Sequence, residues 1–354
     1  MSLELCGIII SVKTPISEDS FMNEKKITMQ HGSGGSATSA LIHEIFEENF
    51  KSETVSRMED AAVVGGAESI AITTDSFVVT PLFFPGGDIG RLCICGTVND
   101  LLSRGAVPKY LTCGFIIEEG ASIDDLQRIA ASMADTAAEA GIEIVAGDTK
   151  VVEGSGGIYI NTTGVGFIPE GVDISAKNIV PVDAVIVTGN LGDHHAALLS
   201  ARMDIENEIK SDNAPLNDIV EAIRRYDVHT LRDVTRGGLA TVLKELAESS
   251  EVTITIEEDA LPVSRQVSDF CGILGLDPLY MGNEGKMVVI VPEAVADKVL
   301  SEIRNSKYGS DARIIGHASA PETDHDRGTL YARTSIGGLR SLSVLQGEGL
   351  PRIC

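Results

Sequence analysis

The spacing of apolar residues predicts amphipathic helices in both halves of the chain. The clearest is residues 238–248, where apolar side chains recur at i, i+3, i+4, i+7 and i+8 and form one continuous face. The same kind of spacing predicts helices over residues 38–50 and 89–103. Ser122 followed by Asp125 is a capping signal that marks the start of another helix.

Short apolar runs bounded by turn residues lie between the helices and predict strands. The predicted strands are residues 63–64, 70–74, 110–117, 143–145, 157–168, 184–188, 252–256, 286–291 and 312–315, and further helices are predicted near residues 194–202, 215–224 and 293–303. Because strands and helices alternate in both halves, the sequence predicts an α/β or α+β fold in two lobes.

The domain boundaries are predicted from changes in this pattern. A turn-rich stretch near residue 170 separates the two halves, and glycines follow the last predicted strand. We expect a disordered extension, an N-terminal domain, a C-terminal α+β domain and a flexible tail that carries Cys354, over residues 1–26, 27–170, 171–337 and 338–354, respectively.

The charge of the chain excludes some classes of partner. Its 354 residues include 28 Lys and Arg against 52 Asp and Glu, so the formal net charge is −24 at pH 7. A surface of this sign repels phosphate backbones, which argues against nucleic acid and against anionic membranes. The longest early apolar run, residues 5–12, is far shorter than the roughly 20 residues that span a bilayer. Six cysteines are few for this length, which favours a reduced, cytoplasmic protein.

Cys354 is unusual because it is the last residue of the sequence. A terminal residue frays easily and is a poor structural element. The arm from Gly338 to Cys354 would reach about 50 Å if fully extended. A thiol at the tip of such an arm is a candidate carrier or substrate, and the alternative is an incidental terminus.

Five acidic residues stand at the predicted ends of secondary-structure elements. They are Asp60, Asp75, Asp100, Asp148 and Asp233. Each alone is typical of a turn or a helix N-cap. Several carboxylates gathered at strand ends would instead suit Mg²⁺ ions that bridge polyphosphate oxygens.

Glycine-rich segments add candidate sites for a bound anion. Gly237 and Gly238 open the predicted helix 238–248, where free N–H groups and the helix dipole favour phosphate. Residues 31–35 form a His-Gly-Ser-Gly-Gly loop that is able to cover a triphosphate, although it is equally typical of a linker. The G-x-x-x-x-G-K-[ST], G-x-G-x-x-G and G-x-S-x-G motifs are absent from the sequence.

These motifs together resemble one known family. In chain order they are HGSGG (31–35), TDS (74–76), PLFFPGGDIG (81–90), GDTKVV (147–152), RDVTRGGL (232–239), NEGK (283–286) and the terminal PRIC (351–354). From about Lys26 to Cys354 the chain is similar to the HypE family of hydrogenase maturation proteins, in the superfamily of aminoimidazole ribonucleotide synthetase, selenophosphate synthetase and thiamine-monophosphate kinase. The resemblance implies an N-terminal domain that builds a β-barrel across a homodimer, with ATP in the groove between the two domains.

The resemblance also implies roles for single residues. Mg²⁺–ATP contacts are implied at Asp60, Asp75, Asp100 and Asp233, with Glu59 sharing the first position. The candidate nucleotide-binding residues are His31, Gly32, Ser33, Gly34, Gly35, Asp148, Thr149, Gly237 and Gly238. Lys150 and Glu284 match family positions near the path of the tail, and Cys354 matches the modified cysteine. His194 is followed by His195 where the family usually has glycine, which leaves a role for His194 open.

The implied reaction is the ATP-dependent dehydration of a carbamoyl group on Cys354 to a thiocyanate. A carboxamide oxygen is a poor leaving group, and transfer of the γ-phosphoryl group to it makes phosphate the leaving group. Lys150 would stabilise the developing charge or hold the γ-phosphate, and Glu284 would be the base. The implied partners are HypF, which installs the carbamoyl group, and the HypC–HypD complex, which receives cyanide for the iron of [NiFe] hydrogenase.

Two other functions remain open from the sequence. One is a relative of selenophosphate synthetase that phosphorylates a free small molecule. The other is a non-catalytic scaffold that binds ATP and docks partners through its tail.

Overall fold

The computed structural model of the chain describes residues 26–32, 36–56, 61–346 and 350–354. The predicted extension, residues 1–26, lies outside these ranges except for Lys26, which forms a single β-bridge with Ser122. The described residues form two lobes, each built on its own sheet, so the predicted α/β (α+β) class is confirmed. In these ranges no helix is both long enough and apolar enough to cross a membrane.

The N-terminal lobe is a four-stranded sheet with helices packed on one face. Its strands are β1 Ile70–Phe77, β4 Val107–Glu118, β5 Glu143–Val152 and β6 Ile158–Phe167, and a short ribbon is formed by β2 Phe83–Phe84 and β3 Gly87–Asp88. The strand order is β1-β6-β4-β5, and only the β4–β5 pair is parallel. The helices are α1 Ser36–Leu41, α2 Glu48–Phe50, α3 Glu53–Ser56, α4 Ile89–Ser103 and α5 Ile123–Ala140, and a π-helical segment, Ile42–Glu47, joins α1 to α2.

Local chemistry explains where the two long helices begin and end. The Asp88 carboxylate accepts hydrogen bonds from the first-turn N–H groups of Gly90 and Arg91, which caps α4. The Ser122 hydroxyl accepts a hydrogen bond from Asp125 N–H and caps α5, as the sequence predicts. α5 ends at Gly141, whose φ of 64° is a left-handed conformation that glycine adopts without strain.

The C-terminal lobe is a seven-stranded sheet with a fully buried centre. Its strands are β7 Asp183–Val187, β8 Thr230–Asp233, β9 Thr253–Glu257, β10 Met287–Pro292, β11 Arg313–Ser319, β12 Leu330–Arg333 and β13 Leu339–Leu342. Its helices are α6 Asp193–Met203, α7 Asn217–Ile223, α8 Gly238–Ser250, α9 Arg265–Leu274 and α10 Glu293–Asn305. The strand order is β13-β12-β9-β11-β7-β10-β8, and only the β12–β9 pair is parallel.

Two predicted elements differ from the structure. Residues 63–64 are not part of a strand, and their valine side chains are exposed. The tail predicted to begin at residue 338 includes β13, which pairs with β12 and belongs to the sheet. Both errors concern short segments with too few residues for a periodicity to be read.

The two lobes share a hydrophobic core and are joined by buried hydrogen bonds. Asn99 on α4 is 2% exposed, donates to Ala214 O at 3.1 Å and accepts from Leu216 N–H at 3.0 Å. Because a buried amide left without partners is costly, this side chain fixes the N-terminal lobe against the segment before α7.

One face of the N-terminal sheet is open. The helices cover the face that carries Phe77 and Phe115, whereas the opposite face carries Ile72, Ile116 and Val152, which are 64%, 48% and 38% exposed. A sheet with apolar side chains on an uncovered face is typical of a surface that packs against another sheet.

Candidate functional site

A cavity of about 360 Å³ lies where the two lobes meet, and we call it the acidic cleft. It is lined by the end of β1, by α4, by the turn after β8, by the loop before β10 and by the last residue of the chain. The lining residues are Thr74, Asp75, Gly96, Asp100, Arg232, Asp233, Thr235, Arg236, Thr241, Val242, Glu245, Glu284 and Cys354. Three of the acids that the sequence selects therefore lie around one space, together with Glu284 and Cys354.

Asp75 and Asp100 are brought together by the packing of β1 on α4. A Cβ atom at Gly96 would lie 2.9 Å from the Phe77 ring and 3.8 Å from Asp75 Oδ2, so glycine lets the strand approach the helix. Asp100 lies one turn further along α4 and accepts a hydrogen bond of 2.7 Å from Thr73 Oγ1. The two carboxylates thus face the same side of the interface between strand and helix.

Three aspartates of the cleft hold protons more tightly than free carboxylates. Burial raises the pKa of Asp75 and of Asp100. Burial, with the charge of Asp100, raises the pKa of Asp233 to about 7. Carboxylates that repel one another in a half-buried site are stabilised by a bound cation, so the donor set fits a divalent metal ion. Among the described residues, however, no three acidic, histidine or cysteine side chains converge closely enough to hold a metal ion by themselves.

Glu284 is the most deeply buried carboxyl group of the cleft. It is 4% exposed, and burial together with the charges of Asp212 and Asp233 raises its pKa well above the ordinary value. Asp212 accepts hydrogen bonds from Glu284 N–H at 3.1 Å and from Gly285 N–H at 3.2 Å, which fixes this loop. A carboxylate with a raised proton affinity, held in place by its loop, has the properties of a general base.

The terminal cysteine is docked in the acidic cleft. Val78 N–H donates to Cys354 O at 3.0 Å, and Thr80 N–H donates to Arg352 O at 3.2 Å, so the tail pairs with the chain that follows β1. Ile353 is 6% exposed and belongs to the shared core. Burial and the nearby Glu284 raise the pKa of the Cys354 thiol to about 12. The docked thiol is therefore un-ionised at neutral pH.

A second cavity of about 360 Å³ lies between α1, α2 and β5, and we call it the β5 cavity. It is lined by Gly32, Thr38, Ile42, Phe46, Phe50, Thr54, Val55, Ala62, Cys113, Phe115, Val145, Ala146, Gly147, Asp148, Thr149 and Lys150. At Gly32 a Cβ atom would lie 2.7 Å from Val151 Cβ, which explains a glycine at this close approach. His31 lies beside the cavity, and its Nδ1 accepts from Thr28 N–H at 3.0 Å.

The β5 cavity and the acidic cleft lie on opposite edges of one sheet. Across the sheet, Asp148 on β5 is in register with Ser76 on β1, through the paired residues of the two strands between them. The two positions are three strand spacings apart, or about 14 Å. The side chains of Asp148 and Lys150 point to the open face of the sheet, where Lys150 Nζ is 2.7 Å from an Asp148 oxygen. Asp75 points to the helical face. Within one chain β5 is the edge strand far from β1, so the position of Lys150 beside the tail stays a prediction.

The helix start at Gly237 and Gly238 differs from the prediction of free N–H groups. Gly238 N–H donates to Thr235 O at 3.0 Å and is already used. A Cβ atom at Gly238 would lie 2.5 Å from Leu279 O, so packing accounts for this glycine. Neither residue lines the acidic cleft. Four predicted positions, Ser33, Gly34, Gly35 and Asp60, lie outside the described residues.

Two cations of the cleft were missed by the sequence analysis. Arg232 and Arg236 flank Asp233 in the RDVTRGGL segment, and both line the cleft. The charge of Arg236 counteracts the rise in pKa of Asp75, Glu284 and Cys354, which indicates that it lies near all three. Two arginines beside an acid in a glycine-rich turn were the available signal, since such turns bind anions. Arg202 on α6 was also missed, and it contacts the main chain of the tail. His194 on the same helix, whose role the sequence left open, contacts the tail main chain as well.

Each of the two lobes matches the family model of a known class of proteins. The model for the N-terminal domain of AIR synthase related proteins matches residues 58–168, and the model for their C-terminal domain matches residues 181–325. The carbamoyl dehydratase HypE of Rhodobacter capsulatus is 45% identical over 343 residues, which cover 94% of this chain and 99% of that protein. The chain belongs to the HypE family of AIR synthase related proteins.

Solved structures agree with this assignment. A crystal structure of the hydrogenase maturation protein HypE in complex with ATP has a TM-score of 0.89 and 43% identity, covering 92% of this chain and 99% of that chain. A crystal structure of a HypE–HypF complex has a TM-score of 0.75 and 46% identity, covering 86% of this chain and 100% of that chain.

Proposed function

We propose that this protein is an ATP-dependent carbamoyl dehydratase of hydrogenase maturation that converts a carbamoyl group on its own Cys354 into a thiocyanate. The observation that carries this proposal is the docking of Cys354 beside Glu284 and three aspartates in one cleft. A tethered substrate makes the reaction effectively intramolecular, which removes most of the entropic cost of bringing the reacting groups together. Membership of the HypE family supports the same reaction.

The residues of the cleft suit the two halves of this reaction. Transfer of the γ-phosphoryl group of ATP to the carbamoyl oxygen turns that oxygen into a phosphate leaving group. Arg236, in reach of both Glu284 and Cys354, would offset the negative charge that develops there. The nitrogen gives up two protons: the first is lost as the oxygen is phosphorylated, and Glu284 would take the second as phosphate departs and the S–C≡N group forms. The net change is the loss of one water from the carbamoyl group, while ATP yields ADP and phosphate.

The aspartates suit a divalent cation. We assign Asp75, Asp100 and Asp233 as the described candidates for holding Mg²⁺, and Asp60 stays a prediction. Bound Mg²⁺ would neutralise the phosphate oxygens during transfer. This assignment accounts for carboxylates that are buried close together, with raised pKa values, at a cleft that receives a polyphosphate.

We also propose a homodimer in which two N-terminal sheets close into a barrel. Two observations support it: the open face of the sheet carries exposed Ile72 and Ile116, and β1 and β5 are both edge strands. Closure into a barrel removes such open edges. Lys150 and Asp148 lie on the same open face. Lys150 would then act on the cleft of the other protomer, where one protomer's β5 cavity and its partner's acidic cleft together hold ATP.

The partners follow from the reaction. HypF is proposed as the donor of the carbamoyl group, in line with the solved HypE–HypF complex, and a HypC–HypD complex as the acceptor of cyanide. Because a terminal thiol has to stay reduced to be loaded, we propose that the protein works in the cytoplasm.

The mass of the C-terminal peptide tests the reaction. Carbamoylated protein incubated with Mg–ATP is expected to lose one water from this peptide, and carbamoylated Glu284→Gln to keep its mass because the base is absent. An unchanged mass in the wild type, with ATP bound and no phosphate released, would point to a scaffold. Full ATP turnover on a diffusible substrate by a variant lacking residues 350–354 would point to a small-molecule kinase.

A further inference from the structure

Arg202 on α6 binds three main-chain carbonyl groups at once. Its Nε donates to Thr80 O at 2.6 Å, its Nη1 donates to Pro351 O at 2.6 Å, and its Nη2 donates to Arg352 O. One guanidinium group therefore joins the chain after β1 to two consecutive residues of the tail. A planar fork of donors is required for this, and lysine cannot supply it.

His194, two turns earlier on α6, binds the next carbonyl of the tail. Its ring is fully buried, and Nε2 lies 2.8 Å from Ile353 O. The tautomer follows from the carbonyl, which can only accept, so Nε2 carries the donor hydrogen. In the neutral ring Nδ1 is then the acceptor for the Ser211 hydroxyl, whose Oγ lies 2.7 Å away. Burial lowers the pKa of His194, which keeps the ring neutral.

Among residues 350–354, the side chain of Ile353 is the most deeply buried. It is buried against the backbone of the loop before β10, where a Cβ atom at Gly282 would lie 3.3 Å from Ile353 Cδ1. The register and the depth of the tail are fixed by the carbonyl contacts of residues 351, 352 and 353 and by the buried side chain of Ile353. Cys354 then enters the cleft as the next residue.

We propose that Arg202 and His194 form a tail receptor on α6 that holds residues 351–353 by their main chain and thereby positions Cys354 for reaction. Neither side chain lines the acidic cleft, so both act through the tail and not on the reacting atoms. The receptor sets the fraction of molecules in which the tail is docked. Its role in catalysis rests on the proposed dehydration at Cys354, whereas its role in docking does not.

Alkylation of the unmodified protein measures docking without any catalysis. Iodoacetamide reacts with a thiolate, and the docked Cys354 thiol is both shielded and un-ionised, so its labelling rate, read from the mass of the C-terminal peptide, reports the undocked fraction. We expect Arg202→Ala to raise this rate about tenfold or more, because two charge-assisted hydrogen bonds to the tail are lost. The labelling rate of Arg202→Lys should fall between those of the wild type and of Arg202→Ala. Arg265→Ala is the matched control, since that side chain is 94% exposed on α9 and should leave the rate unchanged.

A compensating pair tests the anchor independently of Arg202. Gly282→Ala should also raise the labelling rate, because the new methyl group meets Ile353 Cδ1. Adding Ile353→Val, which removes that atom, should restore part of the protection. Equal labelling rates for wild type, Arg202→Ala and Gly282→Ala, with unchanged circular dichroism, would overturn the receptor.

Kinetics then separate positioning from a merely structural role. In carbamoylated protein, Arg202→Ala should lower kcat for dehydration and leave the KM for ATP unchanged, because the docked fraction falls while the nucleotide site is intact. A raised KM with unchanged kcat would contradict positioning. If the wild type docks its tail but never dehydrates it, the proposed function fails and the receptor stands.

Discussion

Asp75 lies at the end of β1 with its carboxylate over the bare backbone of Gly96, and Ser76 N–H donates to its Oδ1 at 2.8 Å. This hydrogen bond favours the charged form, yet burial outweighs it and raises the pKa of the carboxyl group. The carboxylate thus lies where the nearby charge of Arg236 only partly offsets the cost of burial. A bound cation would stabilise the charged form of this carboxylate.

Replacing this carboxylate should remove activity and preserve the fold. We expect Asp75→Asn to lower kcat for ATP turnover at least about 100-fold, because a neutral amide no longer neutralises a metal ion at the phosphates. The thermal midpoint of the ligand-free protein should stay the same or rise, since a strained charge is gone. Asp269→Asn, at an exposed position on α9, is the control. Wild-type turnover in Asp75→Asn would refute the metal assignment.

At the scale of residues, the sequence predicts candidate side chains better than it predicts which of them meet. Asp75, Asp100 and Asp233 were selected because they stand at element ends, and all three line the acidic cleft. Asp148 satisfies the same criterion but lies at the far edge of the sheet. Strand order and the lobe interface are set by contacts between residues far apart in sequence, and no local spacing encodes them.

α5 shows how one element ties the lobes together near its end. Glu139, in its last turn, accepts hydrogen bonds from Arg91 at 2.9 Å, from Lys307 at 2.5 Å and from the Tyr308 hydroxyl. Burial acts in the opposite direction, but these hydrogen bonds prevail and lower the pKa of Glu139 to about 2. Lys307 and Tyr308 follow α10, so the contact joins the C-terminal lobe to α5.

The low pKa of Glu139 makes this contact sensitive to acid. A carboxyl group whose pKa is depressed in the folded state stabilises it above the unfolded pKa of about 4.5, and the effect is lost as pH falls toward 2. Glu139→Gln should therefore cost about 1–2 kcal/mol at pH 7, a figure reduced for partial exposure. Unfolding followed by urea at several pH values is the measurement. The difference between wild type and variant should shrink below pH 4.5, and a constant difference would contradict the linkage.

The elements themselves were largely predictable. Helix 89–103 and the cap at Ser122 follow from strong local signals, a long apolar periodicity and a side-chain hydrogen bond within one turn. The π-helical turn of Ile42–Glu47 did not follow from such signals, and the helix α9 and the strands β8, β12 and β13 were not predicted either. These three strands have four residues each, too few for a periodicity, and β13 is an edge strand that depends on its partner β12.

At the scale of the whole molecule, the proposed dimer predicts complementation between inactive chains. If Lys150 serves the other protomer, a mixed dimer of Lys150→Ala and Glu284→Gln has one complete site, with wild-type Glu284 from one chain and wild-type Lys150 from the other. Random mixing should then recover roughly a quarter of wild-type dehydration, since half of the dimers are mixed and each has one of two sites intact. Each variant alone should be inactive.

Dehydration rates before and after unfolding and refolding the two variants together provide the measurement. The same variants refolded separately and then combined are the control for simple mixing. Recovery confined to the co-refolded sample supports a shared site. Activity of Lys150→Ala alone, or no recovery in verified mixed dimers, would contradict it.

The docked position of Cys354 also limits where its sulfur can be carbamoylated. A thiol whose pKa is raised to about 12 is almost entirely protonated, and only the thiolate attacks an acyl donor at a useful rate. While it is docked, the Cys354 thiol therefore reacts slowly with electrophiles in general, and the carbamoyl donor is one of them. If Cys354 is carbamoylated as proposed, the last residues have to leave the cleft for loading, so carbamoylation and dehydration take place at separate positions of the tail.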